Sequence, residues 1–163
     1  MGSNSFSGSN FVNFALNKNT KVVGISRSKE NVSVMLPYKK NSYIDNFKFV
    51  KLDTNKNLEK ILYVVETFKP NYIANFAAQG EVRTSWKFPE QWFQTNCLSL
   101  VNFTSKLIDK KYLQKYISIS TPEVYGATPK NFKESTNYNP STPYAASKLA
   151  GDLHLMTLYK KYN

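Results

Sequence analysis

Tyr144 and Lys148 stand four residues apart in Pro143-Tyr144-Ala145-Ala146-Ser147-Lys148. On a helix, that spacing places a phenol and an ammonium on one face, within reach of each other. A neighbouring cation favours the phenolate and pulls a tyrosine pKa down from its ordinary value of about 10. Such a tyrosine exchanges a proton with a sugar or alcohol hydroxyl near neutral pH, which an ordinary tyrosine does poorly. By itself the pairing is a weak signal in a chain with 11 Tyr. Its weight comes from its surroundings, beginning with Ser120-Thr121-Pro122-Glu123-Val124-Tyr125-Gly126 upstream.

A second group of residues could hold phosphate. In Gly2-Ser3-Asn4-Ser5-Phe6-Ser7-Gly8, Gly2 permits a tight turn, and Gly8 allows close helix packing and approach of the backbone to a pyrophosphate. Ser5 takes the middle small position, a departure that a short side chain tolerates; an unstructured Gly/Ser-rich start would read the same way. After the next apolar run comes Ile25-Ser26-Arg27-Ser28. An acid there would bind the ribose 2′-hydroxyl of NAD. Arg27 between serines instead suits a 2′-phosphate, so NADP is expected, with NAD as the alternative. A surface arginine in a turn is the structural reading of the same residue. Asp53 could accept from an adenine amino group, although Asp53 or Thr54 could equally cap a helix.

The elements that must position these groups alternate along the chain. Apolar runs at 21–26, 48–52, 71–76 and 115–119 read as strands. Leu58, Ile61, Leu62 and Val65 follow helical spacing, which predicts a helix over 56–68 that ends before Pro70. A second helix is expected from Pro89, with Phe93, Cys97, Leu100, Val101 and Leu107 facing inward. A third should run from about Pro143 to Tyr159, with proline in its first turn. The 28–47 segment reads as loop. Strands separated by helices of this length imply βαβ units and a parallel sheet.

A glycine-rich turn of this kind belongs directly after a strand, and in a doubly wound sheet the first strand is central. Only Met1 precedes Gly2. The expectation is an α/β, Rossmann-type doubly wound sheet lacking its first strand, a partial NAD(P)-binding domain over 1–163.

Composition narrows the classes. The chain has 163 residues, enough for one domain with a sizeable core. The 41% hydrophobic and 15% aromatic content argues for a folded globule. No apolar run approaches the length of a membrane span, and no leader pattern is visible. Lys and Arg number 22 against 11 Asp and Glu, a net charge of +11. The lysines are scattered rather than gathered in a stripe, so a solvated surface is expected and neither nucleic acid nor membrane is a predicted partner. Cys97 cannot form an internal disulfide; it reads as a buried thiol in a cytoplasmic protein. His154 has no partner for metal or triad work, and no cluster has metal-ligand spacing.

Taken in order, these segments resemble the extended short-chain dehydrogenase/reductase family and, within it, the nucleotide-sugar 4,6-dehydratases. The matching pieces are Gly2–Gly8, Asn75-Phe76-Ala77-Ala78-Gln79, Arg83-Thr84-Ser85-Trp86 with Pro89 and Thr95-Asn96, Ser120–Gly126, and Tyr144-x-x-x-Lys148. The resemblance implies a role for each. Tyr144 would be the base at the sugar 4-hydroxyl. Lys148 would lower the Tyr144 pKa and hold the nicotinamide ribose. Thr121 would hold the same hydroxyl, Ala77 and Ala78 would line the cofactor, and Glu123 would remove the C5 proton before loss of the 6-hydroxyl as water. Pro122 departs from the thymidine-diphospho-glucose enzymes, which have an Asp there as acid. The guanosine-diphospho-mannose enzymes lack that Asp and prefer NADP. Tyr125 is expected to pack, and Glu134 to lie on a loop.

The resemblance also implies a nucleotide-diphosphate sugar as substrate, and a homodimer through helices near 89–109 and 143–161. The family's smaller C-terminal substrate domain has no counterpart in these residues, so 1–163 alone is expected not to turn over a sugar nucleotide. An epimerase or reductase of the same family, or a dinucleotide-binding module without activity of its own, are the alternatives.

Overall fold

The computed structural model describes residues 1–162. They form two compact units: Met1–Ala77 with Lys110–Ile119, and Ala78–Asp109 with the residues from Ser120 on.

Among the described residues, the first unit holds all four strands, β1 (Val22–Ser26), β2 (Phe47–Lys51), β3 (Tyr72–Asn75) and β4 (Lys115–Ser118). They pair in parallel as β1 with β2, Val22 opposite Phe47, and β3 with β4, Tyr72 opposite Lys115. Met1 and Gly2 lie between the two pairs, where a doubly wound sheet has its central strand. The Met1 ammonium donates to Ala74 O at 2.6 Å, Phe76 N donates to Met1 O at 3.0 Å, and Gly2 N donates to Ile25 O at 2.7 Å. Burial lowers the pKa of that ammonium from 8.0 to about 6.

Helix α1 (Phe6–Asn17) follows at once and turns Ser9, Val12 and Leu16 inward. Helix α2 (Leu58–Phe68) buries Ile61 and Val65, the stripe that its apolar spacing predicts, and closes on Lys69 in the left-handed conformation before Pro70. The 28–47 segment is more ordered than its loop-like composition suggests. It folds as three short 3₁₀ turns, 33–35, 37–40 and 44–46. Two of its residues, Leu36 and Tyr38, are fully buried against Val12 and Leu16, with Val22, Ile44 and Phe47 around them. Each such side chain contributes about 1.5–3 kcal/mol by burial.

The second unit is helical: α3 (Val82–Ser85), α4 (Pro89–Phe93), α5 (Ser99–Ser105) and α6 (Pro143–Tyr162). The helix expected from Pro89 does not run straight through. A turn of π-helix, Gln94–Leu98, separates α4 from α5, and the helical run closes at Ser105. A π turn advances the helix by one extra residue, so the face that packs inward is not the expected one. Trp92, Asn96, Ser99, Leu100, Phe103 and Thr104 are buried, whereas Phe93 is exposed and Val101 half-buried. Cys97, expected in the core, is only half-buried, and burial raises its thiol pKa. Leu107 is buried as expected.

Candidate active site

The first unit carries the phosphate-binding signature. Gly2 has φ of 75°, and a Cβ there would stand 2.6 Å from Ala77 N and from Phe76 C, so only glycine fits. A Cβ on Gly8 would stand 2.2 Å from Gly2 O. Ser5 fills the middle of the turn: its hydroxyl donates to Gly2 O at 2.8 Å and accepts from Gly8 N at 3.0 Å, capping α1. The N–H groups of Phe6 and Ser7 open the helix ahead of any intrahelical acceptor. Backbone stripped of Cβ atoms beside a helix N-terminus fits a pyrophosphate. Ala77 lies at the same place, its N–H donating to Asn75 Oδ1 at 3.0 Å.

Ser26 ends β1, and Arg27 follows it in an exposed loop. Asp53 Oδ1 accepts from Asn55 N at 2.8 Å, closing the turn before α2. The helix-capping reading of Asp53 or Thr54 is not realised: the N-cap of α2 is Asn57.

The second unit carries the residues expected from sequence to transfer protons. Thr121 is the N-cap of a short 3₁₀ turn, Pro122–Tyr125. Its Oγ1 accepts from Glu123 N at 3.4 Å, which leaves the hydroxyl proton to donate outward. Pro122 sits at the first helical position, where its fixed φ suits the turn and its missing N–H leaves nothing unsatisfied. Tyr125, expected to pack, does so against the rings of Phe132 at 5.2 Å and Tyr138 at 5.7 Å. Gly126 has φ of 69° and its Cβ would stand 2.3 Å from Asn139 O, so the loop between them is pinched at its base. Glu134 is exposed on that loop.

Tyr144 and Lys148 occupy the first two turns of α6, one turn apart as their spacing predicts. The 3₁₀ turn bearing Thr121 and Glu123 packs on this helix. Tyr144 is half-buried and Lys148 is 6% exposed. Burial pushes the Lys148 ammonium down, and the Asp152 carboxylate one turn further on pulls it back up. Ser120 Oγ in turn donates to Asp152 Oδ2. Asp152 therefore ties the segment of Thr121 to the helix of Lys148.

Asn96 is a residue whose role the spacing of motifs does not disclose. It is 3% exposed. Its Oδ1 accepts from Gln79 N at 2.7 Å, and its Nδ2 donates to Gln79 O at 3.0 Å and to Ser147 Oγ at 2.9 Å. The segment after Ala78 is so fastened to the helix of the Tyr/Lys pair. Trp92 Nε1 adds a bond to Gly80 O at 3.0 Å. A buried amide with a periodic apolar neighbourhood is the signal that could have marked Asn96. His154 is structural: its Nε2 shares a hydrogen bond with Thr104 Oγ1 at 3.1 Å. Among the described residues no group of His, Cys, Asp or Glu could hold a metal ion, and no helix is long and apolar enough to cross a membrane.

Known proteins resemble the chain in sequence and in fold. A "Probable dTDP-glucose 4,6-dehydratase" of Sinorhizobium fredii is 28% identical over 98% of the chain and 48% of its own length. The crystal structure of dTDP-glucose 4,6-dehydratase from Bacillus anthracis, in complex with NAD, is 27% identical with a TM-score of 0.81, over 99% of this chain and 49% of that one. A UDP-N-acetylglucosamine 4-epimerase from Methanobrevibacter ruminantium, solved with UDP-N-acetylmuramic acid, is 28% identical with a TM-score of 0.82, again over 99% and 49%. The chain spans about half the length of the curated relatives it matches. The model of the GDP-mannose 4,6 dehydratase family matches residues 1–163 throughout, and the chain belongs to that family.

Proposed function

We propose that the protein is a nucleotide-sugar 4,6-dehydratase, a cytoplasmic lyase that uses bound NADP and acts on a nucleotide-diphosphate sugar. The observation that carries the reading is the Thr121–Glu123 turn packed on the helix of Tyr144 and Lys148. When bound, the nicotinamide would supply the hydride acceptor for the sugar C4 and the hydride donor for C6, so the net change would be loss of water.

The chain's own groups handle the protons. Tyr144 takes the proton of the 4-hydroxyl, and the Lys148 ammonium stabilises the phenolate that accepts it. Thr121 donates its hydroxyl proton to the same sugar oxygen. With C4 a ketone, the C5 proton is acidic and Glu123 removes it. Proline has no proton to give, so Glu123 also delivers the proton with which the 6-hydroxyl leaves as water. C5 regains a proton from solvent as C6 is reduced, and Tyr144 returns the 4-hydroxyl proton to solvent. The partial dinucleotide domain supplies Gly2, Ser5 and Gly8 toward the pyrophosphate and Ser26 and Arg27 toward the adenosine ribose, with Ala77 and Ala78 offering bare backbone and Asp53 its second carboxylate oxygen. Arg27 is the reason for preferring NADP to NAD.

Glu123→Gln in the full-length enzyme tests the elimination step. Formation of the 4-keto-6-deoxy product should fall by about 10²–10⁴-fold, the range of a lost general acid–base group. Product formation at the wild-type rate would sink the assignment. The epimerase relative supports a second reading: a product inverted at one carbon, at an unchanged oxidation level, would establish it instead. A homodimer through 89–109 and 143–161 is part of the proposal, and the exposed Phe93, Leu98, Leu153 and Tyr159 on those helices support it.

A further inference from the structure

Asn4 stands inside the glycine turn, yet nearly all its hydrogen bonds reach the loop after β1. Its backbone N–H donates to Ser26 Oγ at 3.0 Å. Its side-chain Nδ2 donates to Ser28 O at 3.1 Å, Ser28 Oγ at 3.3 Å and Lys29 O at 2.8 Å. Asn31 Nδ2 closes the frame by donating to Asn4 O at 3.4 Å. Two of the three side-chain acceptors are carbonyl oxygens, so the amide can point only one way. In that orientation Asn4 Oδ1 is buried with no partner. An unpaired buried acceptor is destabilising, so the amide's orientation is set by what it holds rather than by its own satisfaction.

What it holds is a loop made of donors. Asn4 occupies acceptor positions on both Ser26 Oγ and Ser28 Oγ, which turns the Ser28 hydroxyl proton outward. Arg27 and Lys29, both exposed, flank Ser28. The one acid of the loop, Glu30, is committed elsewhere. Its Oε1 accepts from Tyr38 Oη at 2.9 Å and its Oε2 from Lys39 Nζ at 2.7 Å. Burial and the Glu30 carboxylate raise the Tyr38 pKa, so the phenol keeps its proton for that bond. A loop of hydroxyls and cations, with its carboxylate drawn aside, suits a phosphate monoester and offers no carboxylate to a bare ribose 2′-hydroxyl.

We propose that Asn4 is a specificity-determining residue for the cofactor: by fixing the backbone and hydroxyls of Ser26–Lys29 from within the pyrophosphate turn, it makes the loop a 2′-phosphate site. This rests on the NADP reading above. The position that distinguishes the two cofactors is thus set from the glycine turn as well as from Arg27.

The test is calorimetric titration of the protein and its Asn4→Ala variant with NADPH and NADH. The wild type should bind NADPH more tightly. The variant should lose about tenfold in NADPH affinity while NADH affinity moves by about twofold or less. Equal losses for both cofactors would mean that Asn4 only shapes the glycine turn, and would overturn the inference. A wild type with no preference for NADPH would refute the NADP reading itself and the inference with it, and that failure is seen without any variant. Should Asn4→Ala unfold by circular dichroism, Ser28→Ala leaves the glycine turn intact and removes the oriented hydroxyl. An NADPH-to-NADH preference reduced by about threefold or more supports the inference, and an unchanged preference overturns it.

Discussion

Asn96 donates to Ser147 Oγ at 2.9 Å, and through this bond the π turn of the fourth helix holds the helix that carries Tyr144 and Lys148. The same amide takes both backbone groups of Gln79. The extra residue of the π turn is what swings Asn96 inward, where a regular helix that buried Phe93 and Cys97 would turn it aside. The segment after β3 and the helix of Tyr144 and Lys148 are therefore coupled through one buried side chain.

Asn96→Ala removes three hydrogen bonds at once from a residue that is itself buried, while Ser147 Oγ keeps its bond to Tyr144 O. Unfolding free energy should fall by about 2–4 kcal/mol, the sum of three lost bonds at about 0.5–1.5 kcal/mol each. Urea denaturation followed by circular dichroism measures it. A loss of about 0.5 kcal/mol or less, the range of an ordinary surface substitution, would show that Gln79 finds other partners.

Gly151→Ala probes the same contact from the other helix. The new Cβ would stand 2.5 Å from Asn96 O, a backbone atom that cannot swing aside, and 3.7 Å from Leu100 Cδ1. Alanine is the better helix former by about 1 kcal/mol, so an uncrowded site would gain stability. Overpacking of this kind costs about 1–3 kcal/mol, and a net loss in the urea midpoint is the expected result. A raised midpoint would mean that the two helices separate easily.

Ser5→Ala should destabilise α1 by about 1 kcal/mol, because its hydroxyl is the cap that takes Gly8 N. Ser5→Gly should cost only a few tenths, since glycine is itself a tolerated cap and removes a side chain from the turn. Thermal melts of the two variants give the comparison; equal losses would assign the effect to backbone strain instead of the hydroxyl.

Periodicity located the strands and the second helix well, because Leu58, Ile61, Leu62 and Val65 repeat at helical spacing and the apolar runs at 21–26 and 115–119 are short and bounded. It failed where one residue changes the phase. The alternation that placed Phe93, Cys97 and Val101 inward assumes 3.6 residues per turn throughout, and the Gln94–Leu98 turn breaks it. Local pattern also missed Leu36 and Tyr38, which are buried by long-range packing on α1 although their neighbours are polar. At the site, the Tyr144/Lys148 spacing and the Gly2/Gly8 turn were legible because their chemistry depends on local geometry. Asn4, Asn96 and Asp152 were not, since each acts on residues between 17 and 51 positions away, or one turn along a helix whose pairing with Ser120 no local rule supplies.

Asp152 gives the charge of Lys148 a pH signature. Burial lowers the Lys148 pKa below its unfolded value, so between the two pKa values the unfolded chain binds the extra proton. Stability therefore rises with pH as Lys148 deprotonates in the folded state, and the cost of burying the ammonium is fully present below the folded pKa. The Asp152 carboxylate works against that cost by raising the folded pKa. Asp152→Asn keeps an oxygen to accept from Ser120 and removes only the charge. The Lys148 titration midpoint, followed by ¹³C NMR of the labelled lysine Cε, should move to lower pH in the variant. The pH–stability slope should then begin at lower pH as well. A midpoint that stays at its wild-type position would show that the Lys148 ammonium is held charged by other groups, and that Asp152 serves only to anchor Ser120.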